Sequence, residues 1–477
     1  MKPIQLHGLA MRYDERTIFE NVDALLEGGD RVALIGANGA GKSSLLRIIA
    51  GRTAASAGGV HCFGVRVAWL DHPSQEVGSW GEREWKALGS LLRGDSELLL
   101  LDEPTRHLDL GHRQELVRWI RRSRISAMLL VSHDLDFLNQ VATVTWHLDG
   151  GGLRTFAGTP RAYLEQRQAE ESAYRRQYQD QQLFIERLQQ DVATTREQAR
   201  STERSTIDST IRRKSKKVAK KAKAREHRLE QLIASEQYLA APQDPHVLRF
   251  TWNHVVLSRG VVAKVEDGSL DYGQVRLFEH LFLEIQAGDR LAIVGNNGGG
   301  KSSLVEALLG LNFSATLSGH WRLFQGSVGF MAQVLPGSET MTIWQYFQQK
   351  SALSEGLGRA WLKAYGFQDA QLPEPLRSAS HGERVKLEIS ALAAQGPSVL
   401  VLDEPEHHLD WPSLATIAHG LSQYPGTLIV ISHIPTFLEE IGCRSYWQVA
   451  HQQVTPIGFD QISQIGQPNS RSKPSRS

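Results

Sequence analysis

Two short runs carry phosphate-binding spacing. GANGAGKS (36–43) and GNNGGGKS (295–302) both read G-x-x-x-x-G-K-[ST]. Each follows an apolar, strand-like run and precedes an apolar, helix-like one. Gly36, Gly39 and Gly41, with Gly295, Gly298 and Gly300, let backbone N–H groups curl around phosphate oxygens without side-chain clash. Lys42 and Lys301 would reach the β- and γ-phosphates, and Ser43 and Ser302 would ligate Mg²⁺. Asn38, Ser44, Asn297 and Ser303 complete the expected nucleotide-binding set. A Gly-rich turn without function would not recur in register with the same lysine and serine.

Acidic chemistry recurs with the same order. ELLLLDEPTRHLD (97–109) and SVLVLDEPEHHLD (398–410) each end a buried-looking strand in Asp-Glu. Asp102 and Asp403 would hold Mg²⁺ through water, while Glu103 and Glu404 would orient or deprotonate an attacking water. His133 and His433 each follow a strand-like run as Ser-His, placed to donate a hydrogen bond to a γ-phosphate. A lone histidine at a strand end would carry no such reading; its recurrence at the matching place does.

These residues need two copies of one scaffold, and the chain spells two. RVALIGANGAGKSSLLRIIAG (31–51) matches RLAIVGNNGGGKSSLVEALLG (290–310), and LLVSHDLDFL (129–138) matches LIVISHIPTFL (428–438). Such long self-similarity marks an internal duplication. The lysines lie 259 positions apart but the aspartates Asp102 and Asp403 lie 301 apart, so the first copy lacks 42 residues between them. VAWLDH (67–72) aligns with VGFMAQ (328–333), and SWGER (79–83) with SHGER (380–384). The loss therefore falls almost wholly between His72 and Ser79. Alternating apolar runs and helical stretches predict an α/β fold with a mostly parallel sheet in each copy.

Composition agrees with two globular domains and an insert. The chain has 477 residues, 41% hydrophobic and 22% charged. Only Cys62 and Cys443 occur, far apart, which supports neither a disulfide framework nor a cysteine zinc cluster. No apolar run approaches the ~20 residues that span a bilayer, and the first residues hold no signal-peptide core. The expected setting is a reducing cytoplasm. Between the copies, residues 162–192 contain no Gly or Pro, and Tyr174, Tyr178, Gln181, Ile185, Leu188 and Val192 follow a heptad seam. Val218, Ala222, Leu229 and Leu232 form a weaker seam. The polar stretch 194–211 reads as the turn of an α-hairpin whose arms of about 30 residues would reach ~45 Å.

The order of a Walker A loop, glutamine, S-x-G-E, Walker B, H-L-D and Ser-His resembles the ATP-binding cassette superfamily. Two cassettes, no membrane segments and a charged helical linker resemble its ABC-F branch of ribosome-associated ATPases, which comprises translation factors and proteins that protect the ribosome from antibiotics. The resemblance implies a first cassette over 1–161 with a truncated helical subdomain, a helical hairpin over 162–245, a second cassette over 246–465 and a disordered tail over 466–477. It implies ATP and Mg²⁺ as cofactors, in sites shared head to tail within one monomer. The first would join Lys42, Asp102, Glu103 and His133 to Ser380 and Gly382. The second would join Lys301, Gln333, Asp403, Glu404 and His433 to Ser79 and Gly81, with Gln333 also toward the metal. Tyr13 and Tyr272 sit where the family stacks an aromatic ring on adenine. Departures are His72 in place of the glutamine, Trp80 and His381 in place of the signature's first glycine, and Arg106 and His407 in place of an asparagine. They imply that one of the sites is slow or silent.

The linker adds a second chemistry. Arg212, Arg213, Lys214, Lys216, Lys217, Lys220, Lys221, Lys223, Arg225 and Arg228 stand against one acid, Glu226, a local charge of +9 in a chain of net charge +1. Such segregation points to a polyanion. No aromatics interleave, so contact with the backbone of structured RNA fits better than stacking on single strands. With the resemblance, the expected partners are the ribosome and its tRNA or rRNA. The ATPase subunit of a membrane transporter and a DNA-repair ATPase remain as alternative readings of the same motifs.

Overall fold

The computed structural model describes residues 2–13, 16–62, 64–70, 82–105, 108–204, 220, 223–224, 227, 231, 238–241, 252–253, 255–311, 315–324, 326–333, 341–406, 409–462 and 465. In the first cassette β1 (Ile4–Tyr13), β2 (Arg16–Leu26), β3 (Arg31–Ile35), α1 (Lys42–Ile49), β4 (Ala57–His61), β5 (Val67–Leu70), α2 (Glu82–Arg93) and β6 (Leu98–Asp102) come first. Then follow α3 (Leu110–Arg122), β7 (Ala127–Val131), α4 (Leu135–Val141), β8 (Val144–Asp149), β9 (Gly152–Ala157) and the long α5 (Pro160–Arg204).

The runs RVALI, LLLLD and AMLLV are apolar at nearly every position, which suits strands covered on both faces. They lie in one six-stranded sheet ordered β5-β6-β7-β3-β8-β9, parallel except for the β8–β9 edge. Residues 98–101 of β6 are fully buried. A second, antiparallel sheet, β2-β1-β4, packs its apolar face on α1, so that Phe19 and Leu45 share one core. The parallel order places the ends of β3, β6 and β7 side by side at one rim, where open α/β sheets bind ligands.

The second cassette repeats this plan with β10 (Val261–Tyr272), β11 (Val275–Gln286), β12 (Arg290–Gly295), α6 (Lys301–Leu309), β13 (Ala315–Arg322) and β14 (Val328–Met331). It adds the helical subdomain α7 (Ile343–Lys350), α8 (Glu355–Ala364) and α9 (His381–Gln395). It closes with β15 (Val399–Asp403), α10 (Trp411–Ser422), β16 (Thr427–Ile431), α11 (Pro435–Glu440), β17 (Ser445–Ala450), β18 (Gln453–Ile457) and α12 (Phe459–Ile462). Its sheet order is β14-β15-β16-β12-β17-β18. The helical subdomain has its own core, in which Phe347, Leu362 and Tyr365 pack on α9. In the first cassette only residues 71–81 separate β5 from α2, so the chain leaves no length for the counterparts of α7 and α8.

The two cassettes form one compact unit, residues 1–161 with 247–477. Leu110, which opens α3 of the first cassette, is buried in the core of the second beside Leu409 and Ile434.

Residues 162–246 form the other unit. The seam holds on α5: Ile185 and Val192 are buried, Tyr174, Tyr178, Gln181 and Leu188 are half-buried, and the neighbours Leu183 and Phe184 are exposed. Tyr174 donates from its hydroxyl to the Ala240 carbonyl at 3.0 Å, so the returning chain lies against the start of the arm. One expectation is corrected. Residues 194–204, read as turn from their Ser/Thr content, are helical, and α5 runs for 45 residues. The hydroxyls of Thr194 and Thr195 donate to the carbonyls of Gln190 and Asp191, four residues back, so their polarity is satisfied inside the helix. At the helical rise the arm is ~65 Å long rather than ~45 Å. The weaker seam and the tail lie outside the described residues.

Candidate active sites

Each phosphate loop is shaped by its glycines. Gly41 and Gly300 adopt φ of 98° and 90° and start α1 and α6 without any side-chain cap. The first N–H groups of both helices therefore face the loop, as an anion site requires. Gly36 and Gly295 pass so close to β8 and β17 that an added Cβ would lie 2.4 Å from the carbonyl oxygens of Leu148 and Val449. Lys42 Nζ donates to the carbonyls of Gly36 and Ala37 at 2.8 and 2.9 Å, and Lys301 Nζ to those of Gly295 and Asn296 at 3.0 Å each. Burial pushes both lysines down from the ordinary ammonium range, while Glu103, Asp410 and Asp102 around Lys42, and Glu404, Asp403 and Asp109 around Lys301, pull back.

The acids follow from strand ends. Asp102 and Asp403 close β6 and β15 and are buried. Glu103 and Glu404 come next with φ of 51° and 50°, a left-handed backbone that a side chain adopts at a cost of ~1–3 kcal/mol. Their N–H groups donate to Val131 and Ile431, both at 2.9 Å, which pins the turn and swings the carboxylates toward the histidines. His133 Nε2 lies 3.3 Å from Glu103 Oε1, and His433 Nε2 lies 3.3 Å from Glu404 Oε1. Gln333 Nε2 donates to Glu404 Oε2 at 2.6 Å. Burial pushes Asp403 up to about 6 against a hydrogen bond from Ser302. The same burial pushes His433 down despite Glu404 beside it.

Two cavities lie along the cassette interface. One, of about 340 Å³, is lined by Asn297, Gly298, Gly300, Lys301, Ser302, Ser303, Gln333, Glu404 and His433, together with Leu108 of the other cassette. The other, of about 330 Å³, joins Asn38, Glu103 and His133 of the first cassette to Ser380, His381 and Gly382 of the second. Ser380 caps α9 and forms a capping box with Glu383, so the start of this helix, with Ser380, His381 and Gly382, borders the same cavity as Asn38. Tyr13 is 47% exposed at the end of β1, its hydroxyl 3.4 Å from Ser44 Oγ. Tyr272 is half-buried at the end of β10. Neither ring lines either of these two cavities.

Comparison with known proteins matches this geometry. The profile of a family described as ABC transporter fits residues 19–78 and 278–407, and a second profile with the same description fits 146–250. The "Ribosome protection protein VmlR" of Bacillus subtilis (strain 168) is 30% identical over 472 residues, covering 92% of this chain and 85% of its own. The chain belongs to the ABC-F branch of the ATP-binding cassette proteins. "ATP-binding protein Uup" of Caulobacter vibrioides is 29% identical to this ABC-F chain over 478 residues, covering 89% of this chain and 74% of its own. Among solved structures, "RNase-L Inhibitor" superposes with a TM-score of 0.60 at 17% identity, over 95% of this chain and 90% of that one. The archaeal aABCE1 solved with the ribosomal stalk protein aP1 gives 0.61 at 18%, over 94% and 90%. These two share the fold of a tandem cassette. Among the described residues no helix is long and apolar enough to cross a membrane.

Within this ABC-F chain, His72, Ser79, Trp80, Gly81, Arg106 and His407 lie outside the described residues. Of the ten basic positions, Lys220 and Lys223 are helical and exposed, and the other eight lie outside the description as well. Four positions at the cassette interface were not among the residues expected from the sequence. Asp109 and Asp410 each reach the opposite phosphate loop: Asn297 N donates to Asp109 Oδ2 at 3.3 Å, and Asn38 N to Asp410 Oδ2 at 3.0 Å. The recurring H-L-D was the signal for both. Arg113 and Glu406 also face the interface, and no repeat could flag them, because Leu414 and Thr105 occupy the matching places.

The donors fit Mg²⁺ at the second site. Asp403 Oδ1 is buried without a hydrogen-bond partner beside the Ser302 hydroxyl, a hard-oxygen pair. Among the described residues no cluster of three or more His, Cys, Asp or Glu could hold a metal by itself. A P-loop cation needs none, since phosphate oxygens and water fill its remaining positions.

Proposed function

We propose that this ABC-F protein is a cytoplasmic, monomeric ATPase that acts on the ribosome, with ATP closing its tandem cassettes and carrying the basic arm toward tRNA. The observation that supports this reading most is the shared cavity, in which the α9 N-terminus with Ser380 and Gly382 faces Asn38, Glu103 and His133 of the other cassette. A triphosphate held there bonds both cassettes at once, so its hydrolysis loosens them. Lys42 and Lys301 neutralise phosphate charge. Glu103 and Glu404 orient the attacking water, and His133 and His433 steady the γ-phosphate. Ser43 with Asp102, and Ser302 with Asp403 and Gln333, would hold Mg²⁺, which supplies charge neutralisation for the leaving phosphate. Ser79 and Gly81 complete the second site in this reading, and Tyr13 and Tyr272 border the adenines. The two sites turn over at unequal rates.

The partner assignment draws on the likeness to a ribosome protection protein over most of both chains and on the +9 segment at 212–228. An arm that touches ~6–10 phosphates would lose ~10³–10⁵ in affinity between 50 and 200 mM salt. The test uses Glu103→Gln with Glu404→Gln, purified with ATP and sedimented with 70S ribosomes. The trapped chain should pellet with the particles, and deletion of 212–228 should release it. A trapped chain that stays in the supernatant at moderate salt refutes the ribosome reading.

A further inference from the structure

His433 stands where the two nucleotide cavities meet, lining both. Its peptide group is gripped from two sides. The His433 N–H donates to Glu406 Oε1 at 3.0 Å, and the Ser432 hydroxyl donates to the same oxygen at 2.5 Å. From the other cassette, Arg113 Nη1 donates to the His433 carbonyl at 2.8 Å. Arg113 is itself steadied by Asp134, whose Oδ2 lies 2.9 Å from its Nε. All four side chains are buried. Removing one partner from so desolvated a charged pair is costly, and a planar guanidinium can face a carboxylate while donating to a carbonyl.

Among the described residues the first site shows no such grip. Thr105 replaces Glu406 and spends its hydroxyl on Ser132 Oγ at 2.6 Å. The His133 N–H then donates to Glu103 Oε2 at 3.3 Å, which occupies the carboxylate expected to orient water. Leu414 and Ile434 stand at the places of Arg113 and Asp134, and leucine has nothing to donate to the His133 carbonyl. The His133 side chain is 25% exposed and that of His433 is 4% exposed.

We propose that Arg113 and Glu406 are positioning residues for the second ATP site, clamping the His433 peptide so that hydrolysis there requires the first cassette to be docked. The proposal rests on the ATPase reading of these sites and is independent of the ribosome. Because Arg113 reaches His433 from α3, separation of the cassettes withdraws the donor from the carbonyl. In the docked state the His433 N–H goes to Glu406, and Glu404 accepts from Gln333.

The test measures each site alone, without ribosomes. Glu103→Gln leaves turnover at the second site, and Glu404→Gln leaves turnover at the first. Into both go Glu406→Ala, Glu406→Gln, and the pair Arg113→Leu with Asp134→Ile, which copies the apolar residues of the other cassette and leaves no orphaned charge. At the second site Glu406→Ala and the pair should each lower kcat about 10- to 100-fold, with KM for ATP changed by less than about threefold. Glu406→Gln keeps an acceptor for Ser432 and His433 and should restore kcat. Arg113, Asp134 and Glu406 also line the cavity of the first site, so that site is the comparison: its kcat should fall at least about threefold less than that of the second. Equal losses at both sites, a loss confined to KM, no loss, or a failure of Glu406→Gln to restore kcat overturns the proposal. So does absence of second-site turnover in the Glu103→Gln chain, whereas absence of turnover in the unaltered chain defeats the ATPase reading itself.

Discussion

Asp410 serves two structures with one carboxylate. Its Oδ1 accepts the Ser413 N–H at 3.1 Å and caps α10, while its Oδ2 accepts the Asn38 N–H at 3.0 Å from the phosphate loop of the other cassette. Burial alone would raise this carboxyl, but the bonds from Ser413 and Asn38 outweigh it and hold the group below its ordinary value, so it is ionised at neutral pH. Asp410→Ala should cost ~1 kcal/mol of stability through the lost cap. It should also remove a charge-assisted bond across the interface, ~1.5–3 kcal/mol, which lowers the closed-to-open ratio ~10- to 150-fold. Asp410→Asn separates the two effects, because asparagine caps as well as aspartate yet bonds Asn38 without a charge. Denaturant midpoints follow the cap. Energy transfer between dyes on the two cassettes, with ATP and both glutamates changed to glutamine, follows closure. The expected order is a lower midpoint for Ala alone, with closure weakened strongly in Ala and partly in Asn. If Asp410→Ala closes on ATP as readily as the parent while its midpoint falls, the cross-cassette role is refuted.

Burial pushes Glu406 up to about 7, against hydrogen bonds from Ser432 and His433. Its contribution to stability is therefore full below the ordinary 4.5 and lost as pH rises through about 7, so Glu406→Gln should gain on the parent between pH 5 and 8 by up to ~3 kcal/mol. Unfolding curves across that range check it, and a difference that stays flat with pH contradicts it. Trp85 on α2 stacks on Trp119 at 4.5 Å and meets His112 edge-on at 5.1 Å, and His112 Nδ1 lies 2.8 Å from Asp109 Oδ1, beside the Asn297 contact. Trp85→Ala should lose the ~0.5–1.5 kcal/mol of the ring pair beyond its buried area and slow the second site more than the first; equal slowing, measured in the single-glutamine chains, would show that α2 does not support that site.

Much of the chemistry was readable before any coordinates because it is local. A phosphate loop needs glycines at fixed offsets, a strand before it and a helix after it, and all three are written within about twenty residues. Duplication then raised the weaker signals, so that Asp102, Glu103 and His133 could be weighed against Asp403, Glu404 and His433. The missing helical subdomain of the first cassette was legible as an offset of 42 positions. Comparison of the copies also had a blind side, since it detects only what the copies share. Arg113 and Glu406 act by differing from Leu414 and Thr105, and Arg113 meets a carbonyl 320 residues away. The same limit applied to helix length: Ser and Thr favour turns in isolation, but Thr194 and Thr195 bond back to their own helix. Sequence by itself marked the residues that carry phosphate-loop spacing, because backbone geometry within one loop sets that. Only the tertiary structure decided which of the two histidines is clamped, because that depends on desolvated groups brought together from opposite cassettes.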